Sequence, residues 1–361
     1  VNPRLHTKLC DTLGIEYPII QTGMGWVAGA RLTAATSNAG GMGILASATM
    51  DYDQMRAAVI DVKARTTKPF GVNMRADAAD IDKRLDVLID HGVKLASFAQ
   101  APKKELIKRL QDAGVLVIPS IGAERHAEKV MEWDVDGVLV QGGEGGGHTG
   151  SVPTSLLLPQ VVDVVQGRVP VVAAGGYFDG RGLVSALAYG ADGVAMGTRF
   201  LLTSDSTVPQ SVKDYYLTKS VTDTTVSKQV DGVPHRVLNT ELIDQLESGG
   251  GKLLALPRSA LNALRFRKMT GMNLKQMLSE GLAMRKSQGL TLAQMMMAVN
   301  SAMLTKATLV DGRMDSGVMP SGQVVGVIDD LPSCLELIQR IIAEADVALA
   351  SLCIPHSDKG R

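Results

Sequence analysis

From Val138 to Gly150 the chain reads VLVQGGEGGGHTG, an apolar run that opens into five glycines followed by a single histidine. Glycine takes backbone conformations closed to other residues and lets a ligand approach the main chain. A run of glycines straight after an apolar strand therefore predicts a loop shaped around a bound molecule. His148 is the only side chain in that loop able to trade protons near neutral pH, which suits a general acid or base. A plain glycine turn whose histidine bonds a nearby carbonyl is the alternative reading of this stretch alone.

The same grammar extends to both sides. Short apolar runs bounded by glycine or proline alternate with amphipathic segments from Pro18 to about Phe200. Eight strands are predicted: Pro18 to Gln21, Gly43 to Ala46, Phe70 to Asn73, Leu95 to Phe98, Val115 to Pro119, Gly137 to Gln141, Val169 to Ala174 and Gly193 to Met196. Helical stretches separate them, among them Tyr52 to Arg65, Ile81 to His91, Lys103 to Ala113, Glu124 to Trp133 and Arg181 to Ala188. Eight such units predict an α/β chain closed into a (β/α)8 TIM barrel. An open doubly wound sheet would normally carry a GxGxxG turn after its first strand, whereas here that strand runs into QTGMGW.

After Phe200 the pattern changes. Tyr215 to Gly232 is rich in Thr, Ser and Asp with one expected strand, and a helical region from Glu241 to about Thr308 carries many of the 17 methionines. We expect a barrel over residues 1–205, a smaller, mainly helical, Met-rich domain over 206–315, and a loop and helix over 316–361 that return to the barrel. The methionines read as packed core, since Met fills irregular gaps. The basic run Arg258, Arg265, Arg267 and Lys268 reads as a solvated face or as a holder of phosphates. The 37 basic and 37 acidic residues cancel, which points away from nucleic acid or an anionic membrane as partner. Three cysteines without a CxxC pair, and no run of about 18 apolar residues, predict a reducing, cytosolic setting without a membrane span.

In barrels of this kind ligands bind at the carboxyl ends of the strands, and phosphate is often held by the loops after the seventh and eighth. Those strands end in Ala173-Ala174-Gly175-Gly176 and in Ala195-Met196-Gly197-Thr198-Arg199, where small residues let main-chain N–H groups converge on an anion. Met24 and Gly25 follow the first strand, Asn73 the third and Gln141 the sixth. The two amides offer donor and acceptor together, which suits the pyrimidine edge of a flavin ring. No metal-ligand set is expected.

These residues add up to a resemblance. The chain is similar along nearly its full length to the nitronate monooxygenase-like flavoproteins, formerly called 2-nitropropane dioxygenases. The motifs that carry it are Gln21 to Trp26, Asn73 in FGVN, Gln141 to Gly150, Ala173 to Gly176 followed by Asp179-Gly180-Arg181-Gly182, Met196 to Phe200, and Ser321-Gly322-Gln323. The resemblance implies FMN held through its phosphate by Gly175, Gly176, Gly197 and Thr198, with Gly23, Met24, Gly25, Asn73, Gln141, Gly146, Gly147 and Ala174 around it. It implies His148 as the proton-transferring residue. Arg75 is a departure from the family whose length could reach a ligand or simply snorkel, and with Arg265, Arg267 and Gln323 it is a candidate substrate contact. The family usually has alanine or another small residue where this chain has Gly145, which leaves more room.

Longer stretches, including Gly71 to Asp80, Leu201 to Pro209, Val230 to Ile243 and Asp329 to Cys334, resemble actinobacterial members that act on CoA thioesters in breakdown of steroid C and D rings. A CoA thioester is the substrate this implies, with NAD(P)H or NAD(P)+ as a transient partner. No cysteine occurs from Asp11 to Ser333, which excludes an IMP dehydrogenase-like cysteine nucleophile and a glutamate synthase-like iron–sulfur cluster. Oxidation of alkyl nitronates, FMN-dependent enoyl-thioester or quinone reduction, and a phosphate-ligand-binding barrel without turnover stay open. The mechanism expected is hydride exchange between flavin and a β-carbon, with His148 moving the proton at the neighbouring acidic carbon and N–H groups of Gly145 to Gly147 steadying the enolate.

Overall fold

The computed structural model describes residues 2–248, 292–314 and 317–352. Its strands are β1 (Ile19–Gln21), β2 (Met42–Ala46), β3 (Phe70–Met74), β4 (Leu95–Phe98), β5 (Leu116–Ile121), β6 (Val138–Gln141), β7 (Gly147–His148), β8 (Val171–Ala174), β9 (Gly193–Met196), β10 (Thr224–Ser227) and β11 (His235–Leu238). Eight of them close into a barrel in the order β1-β2-β3-β4-β5-β6-β8-β9. Neighbours run parallel, and β9 returns to pair with β1 through Ile20 and Ala195. The expected (β/α)8 barrel is the fold, with strand boundaries displaced by two residues at most.

The barrel strands are apolar on both faces because both faces are covered. Ile20, Ile44, Leu95, Ile118, Leu139, Val172 and Ala195 pack together with Leu9, Cys10 and Leu13 from the helix Lys8–Leu13. A Cβ on Gly193, at the start of β9, would come within 2.6 Å of the Leu9 side chain. That short helix thus stoppers the amino ends of the strands and leaves the carboxyl ends as the ligand side. The alternate residues Ile19, Leu45, Val72, Ala96, Val117 and Val138 face the surrounding helices, as a period of two requires.

The late helix Cys334–Leu352 returns to the barrel and lies across the helix Gly180–Ala188. A Cβ on Gly180 would overlap Ala345 N and Ile341 O, so only glycine permits that crossing. Among the described residues, no helix is long and apolar enough to cross a membrane.

Beyond the barrel, β10, β11 and β7 form an antiparallel sheet in the order β10-β11-β7. Only β10 lies in the stretch where one strand was expected. The two-residue β7, read from the sequence as pure loop, is a correction. Gly147-His148 has no apolar alternation to announce a strand, and its pairing partner lies far along the chain. Of the helical region expected from Glu241 to about Thr308, the described residues form the helices Glu241–Glu247 and Leu292–Leu309, and residues 249–291 lie outside them. Arg258, Arg265, Arg267 and Lys268 lie outside the described residues.

Candidate active site at the barrel mouth

The glycine loop after β6 is held from four sides. Gly142 N donates to Ala174 O at the end of β8, at 3.0 Å. Glu144 accepts from Thr154 N and from Thr154 Oγ1, the latter at 2.7 Å. Arg236 on β11 donates through Nε and Nη2 to Gly143 O, at 3.1 and 2.9 Å, and through Nη1 to Thr224 Oγ1. The segment Ser321-Gly322-Gln323 straps the loop from above, with Gln323 N donating to Glu144 O at 3.0 Å and Gly322 N to Thr198 Oγ1 at 2.9 Å. A Cβ on Gly146 would stand 2.5 Å from Gly322 N and Ser321 C, so the strap and the loop touch backbone to backbone.

Two expectations need correction here. The space freed at Gly145 does not widen the site. Gln141 fills it, its amide nitrogen only 2.7 Å from where a Cβ would stand. That nitrogen donates to His148 O at 2.8 Å and to Gly146 O at 3.4 Å, so the Gln141 NH2 group fixes the loop and leaves its oxygen for a ligand. The Gly145 N–H, expected to face an enolate, donates to Gly142 O at 3.1 Å. Gly147 pairs with Arg236 of β11 in register with the bond from Thr149 N to Pro234 O, which commits its N–H to the ladder and leaves Gly146 as the remaining member of that group.

Gly175 and Gly176 follow β8 with φ of 92° and 87°, a region open to glycine and costly for other residues. A Cβ on Gly176 would have nothing nearer than Glu144 Cβ at 4.0 Å, so Gly176 faces open space, whereas Gly175 packs on Gly142 O and Thr154 Oγ1. Gly197 follows the adjacent strand β9, beside Thr22 and Met24. Thr198 accepts from Gly322 N and keeps its own hydroxyl hydrogen to give. Two neighbouring strands thus present bare backbone and a hydroxyl at the same end of the barrel, an arrangement that fits a phosphate-bearing cofactor.

Gly23 packs so closely on Asn73 that no side chain fits between them. Asn73 Nδ2 reaches Ser97 O at 3.5 Å. Gly23, Met24, Gly25, Asn73, Gln141, Ala174, Gly175, Gly176, Gly197 and Thr198 therefore all stand at the carboxyl ends of barrel strands, with Gly146 and Gly147 in the loop after β6. Arg75 is paired with Asp77, Nε to Oδ1 at 3.0 Å, and Gln323 begins the 3-10 helix Gln323–Val327 beside the loop.

His148 stands on β7 directly opposite His235 of β11. Opposed residues of an antiparallel pair share a face, and the two ring centroids are 4.7 Å apart. Asp231, in the turn that precedes β11, lies between them, its Oδ2 at 2.7 Å from His148 Nε2 and 3.1 Å from His235 Nδ1. Burial pushes the Asp231 carboxyl up, but the hydrogen bonds and charge of both histidines outweigh it and hold the group well below the usual carboxylate range. Side-chain exposure is 63% for His148 against 6% for Asp231 and 8% for His235. The imidazole of His148 is therefore the member of the trio presented to a ligand.

Asp231, His235 and Arg236 were not singled out from the sequence. They lie within the stretch Val230 to Ile243 noted for its resemblance, and the only local signal is an aspartate four residues before a histidine.

The family model for nitronate monooxygenase matches residues 6–83 and 78–344. The chain belongs to that family. It is 59% identical over 343 residues to the (3aS,4S,5R,7aS)-5-hydroxy-7a-methyl-1-oxo-octahydro-1H-indene-4-carboxyl-CoA dehydrogenase of Mycobacterium tuberculosis, covering 95% of this chain and 96% of the relative. The enzyme of that name from Rhodococcus jostii is 59% identical over 341 residues, covering 94% and 96%. Among solved structures, FabK from Thermotoga maritima superposes with a TM-score of 0.78 at 31% identity, covering 96% of this chain and 98% of the other. As a member of the nitronate monooxygenase family, the chain is an enzyme of the oxidoreductase type.

Proposed function

We propose that this chain is an FMN-dependent dehydrogenase acting on a CoA thioester that carries a fused-ring remnant of a steroid. Proteins of its family are generally flavin enzymes, and the bare backbone after β8 and β9 supports FMN in particular as the phosphate-bearing cofactor. The observation that carries the reading is the 59% identity, across nearly the full length of both chains, to two dehydrogenases of a hydroxy-indene-carboxyl-CoA.

A thioester carbonyl acidifies the carbon beside it. His148, exposed at the mouth and fixed from behind, takes that proton as general base. The main-chain N–H of Gly146 steadies the enolate oxygen. FMN, when bound, supplies the two-electron acceptor for the hydride that leaves the next carbon. One proton and one hydride lost from adjacent carbons leave a carbon–carbon double bond. Further parts of the proposal are Gly175, Gly176, Gly197 and Thr198 on the FMN phosphate, with Asn73 and the Gln141 oxygen at its ring. Arg265 and Arg267 are proposed for CoA phosphates, a Met-rich domain over 206–315 for the apolar wall, NAD(P)+ as transient electron acceptor, and the cytosol as compartment.

The family description favours a second reading, oxidation of an alkyl nitronate with oxygen. Anaerobic mixing of the flavin-loaded protein with the indene-carboxyl-CoA thioester, with a nitronate and with NADH separates them. Bleaching of flavin absorbance by the thioester is the expected result, and bleaching by the nitronate alone would overturn it. His148→Ala is expected to retain the flavin colour and to slow turnover by about a hundredfold or more.

A further inference from the structure

Asp231 accepts from two imidazoles with one oxygen, and this fixes which atom of His148 is basic. An ionised carboxylate has no hydrogen to give, so His148 Nε2 and His235 Nδ1 must both carry theirs, at 2.7 and 3.1 Å from Oδ2. Two further observations agree. The Asp231 carboxyl is held well below the usual range, and His235 Nε2 is buried with no hydrogen-bond partner among the described residues. A bare lone pair there is cheaper to bury than an unpaired N–H.

The same three side chains stand close enough to chelate a divalent cation. Ligation through His235 Nδ1 would, however, put a hydrogen on the partnerless Nε2, where metal-bound histidines usually donate to an acceptor. The hydrogen-bonded arrangement leaves no such buried donor.

We infer that Asp231 is the positioning residue of His148, holding it as the Nε2–H tautomer so that Nδ1 is the atom that exchanges the substrate proton. His148 Nδ1 has no hydrogen-bond partner among the described residues and belongs to the most exposed ring of the trio. The carboxylate stands behind the ring, where it faces the charge that appears when Nδ1 takes a proton. His235, donating to the same oxygen, keeps that oxygen facing His148. The inference rests on His148 being the base of the proposed reaction, but the tautomer can be measured without turnover.

One substitution inverts the arrangement. The other carboxylate oxygen, Oδ1, accepts from Val233 N at 3.2 Å. In Asp231→Asn that backbone N–H holds the amide oxygen at the Oδ1 position and turns the NH2 group toward both imidazoles. His148 Nε2 must then accept, and the hydrogen moves to Nδ1, which leaves no lone pair for the substrate. An aspartate-to-asparagine change behind a catalytic histidine costs about 10⁴-fold in kcat in the serine protease case.

The test is a two-bond 1H–15N correlation spectrum of the flavin-loaded full chain labelled with 15N-histidine, the His148 signals being assigned by their loss in His148→Ala. The native protein is expected to show protonated Nε2 and bare Nδ1, and Asp231→Asn the reverse. Asp231→Asn is also expected to retain flavin and KM while kcat falls by about 10²–10⁴-fold. Protonated Nδ1 in the native protein would overturn the inference, as would an unchanged tautomer or native kcat in Asp231→Asn. So would a stoichiometric divalent metal in the purified protein that is lost in Asp231→Asn. If His148→Ala itself turned over normally, the proposed proton transfer would fall while the tautomer result stood.

Discussion

Replacing Gly146 by alanine tests whether the strap over the glycine loop holds the site together. The new Cβ would stand 2.5 Å from Gly322 N and from Ser321 C, and ordinary contact begins at 3.4 Å. Both neighbours are backbone, so no side chain can swing aside, and the strap must retreat by about 0.9 Å. A retreat of that size carries the bonds from Gly322 N to Thr198 Oγ1 and from Gln323 N to Glu144 O, now 2.9 and 3.0 Å, beyond useful length. Two hydrogen bonds at about 0.5–1.5 kcal/mol each, with about 1–3 kcal/mol for overpacking, give a loss of about 2–6 kcal/mol. Against a typical total of about 5–15 kcal/mol that is a large fraction. The assay is urea unfolding of the purified protein, with flavin content measured after gel filtration. Two neighbours set the scale. Gly145→Ala meets the Gln141 side chain at Nε2, Cγ and Cδ, 2.7, 2.9 and 3.0 Å away, a side chain that can shift where backbone cannot, and is expected to cost about 1–2 kcal/mol with the bond to His148 O. Gly147→Ala meets nothing within 4 Å but has φ of 73°, for about 1–2 kcal/mol of backbone strain. A Gly146→Ala protein no less stable than these two, with full flavin content, would refute the strap as a structural clamp.

Arg236→Met removes the donors to Gly143 O and Thr224 Oγ1 and is expected to lower unfolding free energy by about 2–3 kcal/mol, measured by urea titration. The Asp231 carboxyl is depressed in the folded state, so its contribution is complete above the unfolded value of about 4 and drains away as pH falls toward the folded one. Unfolding free energy measured from pH 4 to pH 2 is therefore expected to fall more steeply for the native protein than for Asp231→Asn, and parallel curves would refute it. Burial pushes the Cys334 thiol up to about 12 and also raises that of Cys10. Both should escape alkylation at pH 8 in the folded protein and react after unfolding, as mapped by mass spectrometry.

How much of this was legible in the sequence depends on the range of the interaction concerned. The barrel was legible because its evidence is local. Each strand announces itself by a run such as Val138 to Val140 or Val171 to Ala174, and each helix by its own periodicity, so eight repetitions left little choice of architecture. The glycines at the strand ends were legible for the same reason, as Gly175 and Gly176 follow their strand directly. His148 stood out because nothing else in its loop trades a proton near neutral pH.

What the sequence could not reveal is what stands behind those residues. The space at Gly145 looked empty, and only the folded chain shows Gln141 turned back into it. The strap at Ser321 to Gln323 had its motif but not its use, which depends on two backbones meeting at Gly146. Asp231 and His235 were passed over altogether, because their tie to His148 runs across a pairing of β11 with a two-residue strand that has no pattern of its own. Composition and periodicity determined the scaffold and singled out the histidine of the glycine loop. Tertiary pairing alone decided which carboxylate bonds that imidazole, since the residues that share a face of the β7–β11 pair are set by register between strands and not by nearness along the chain.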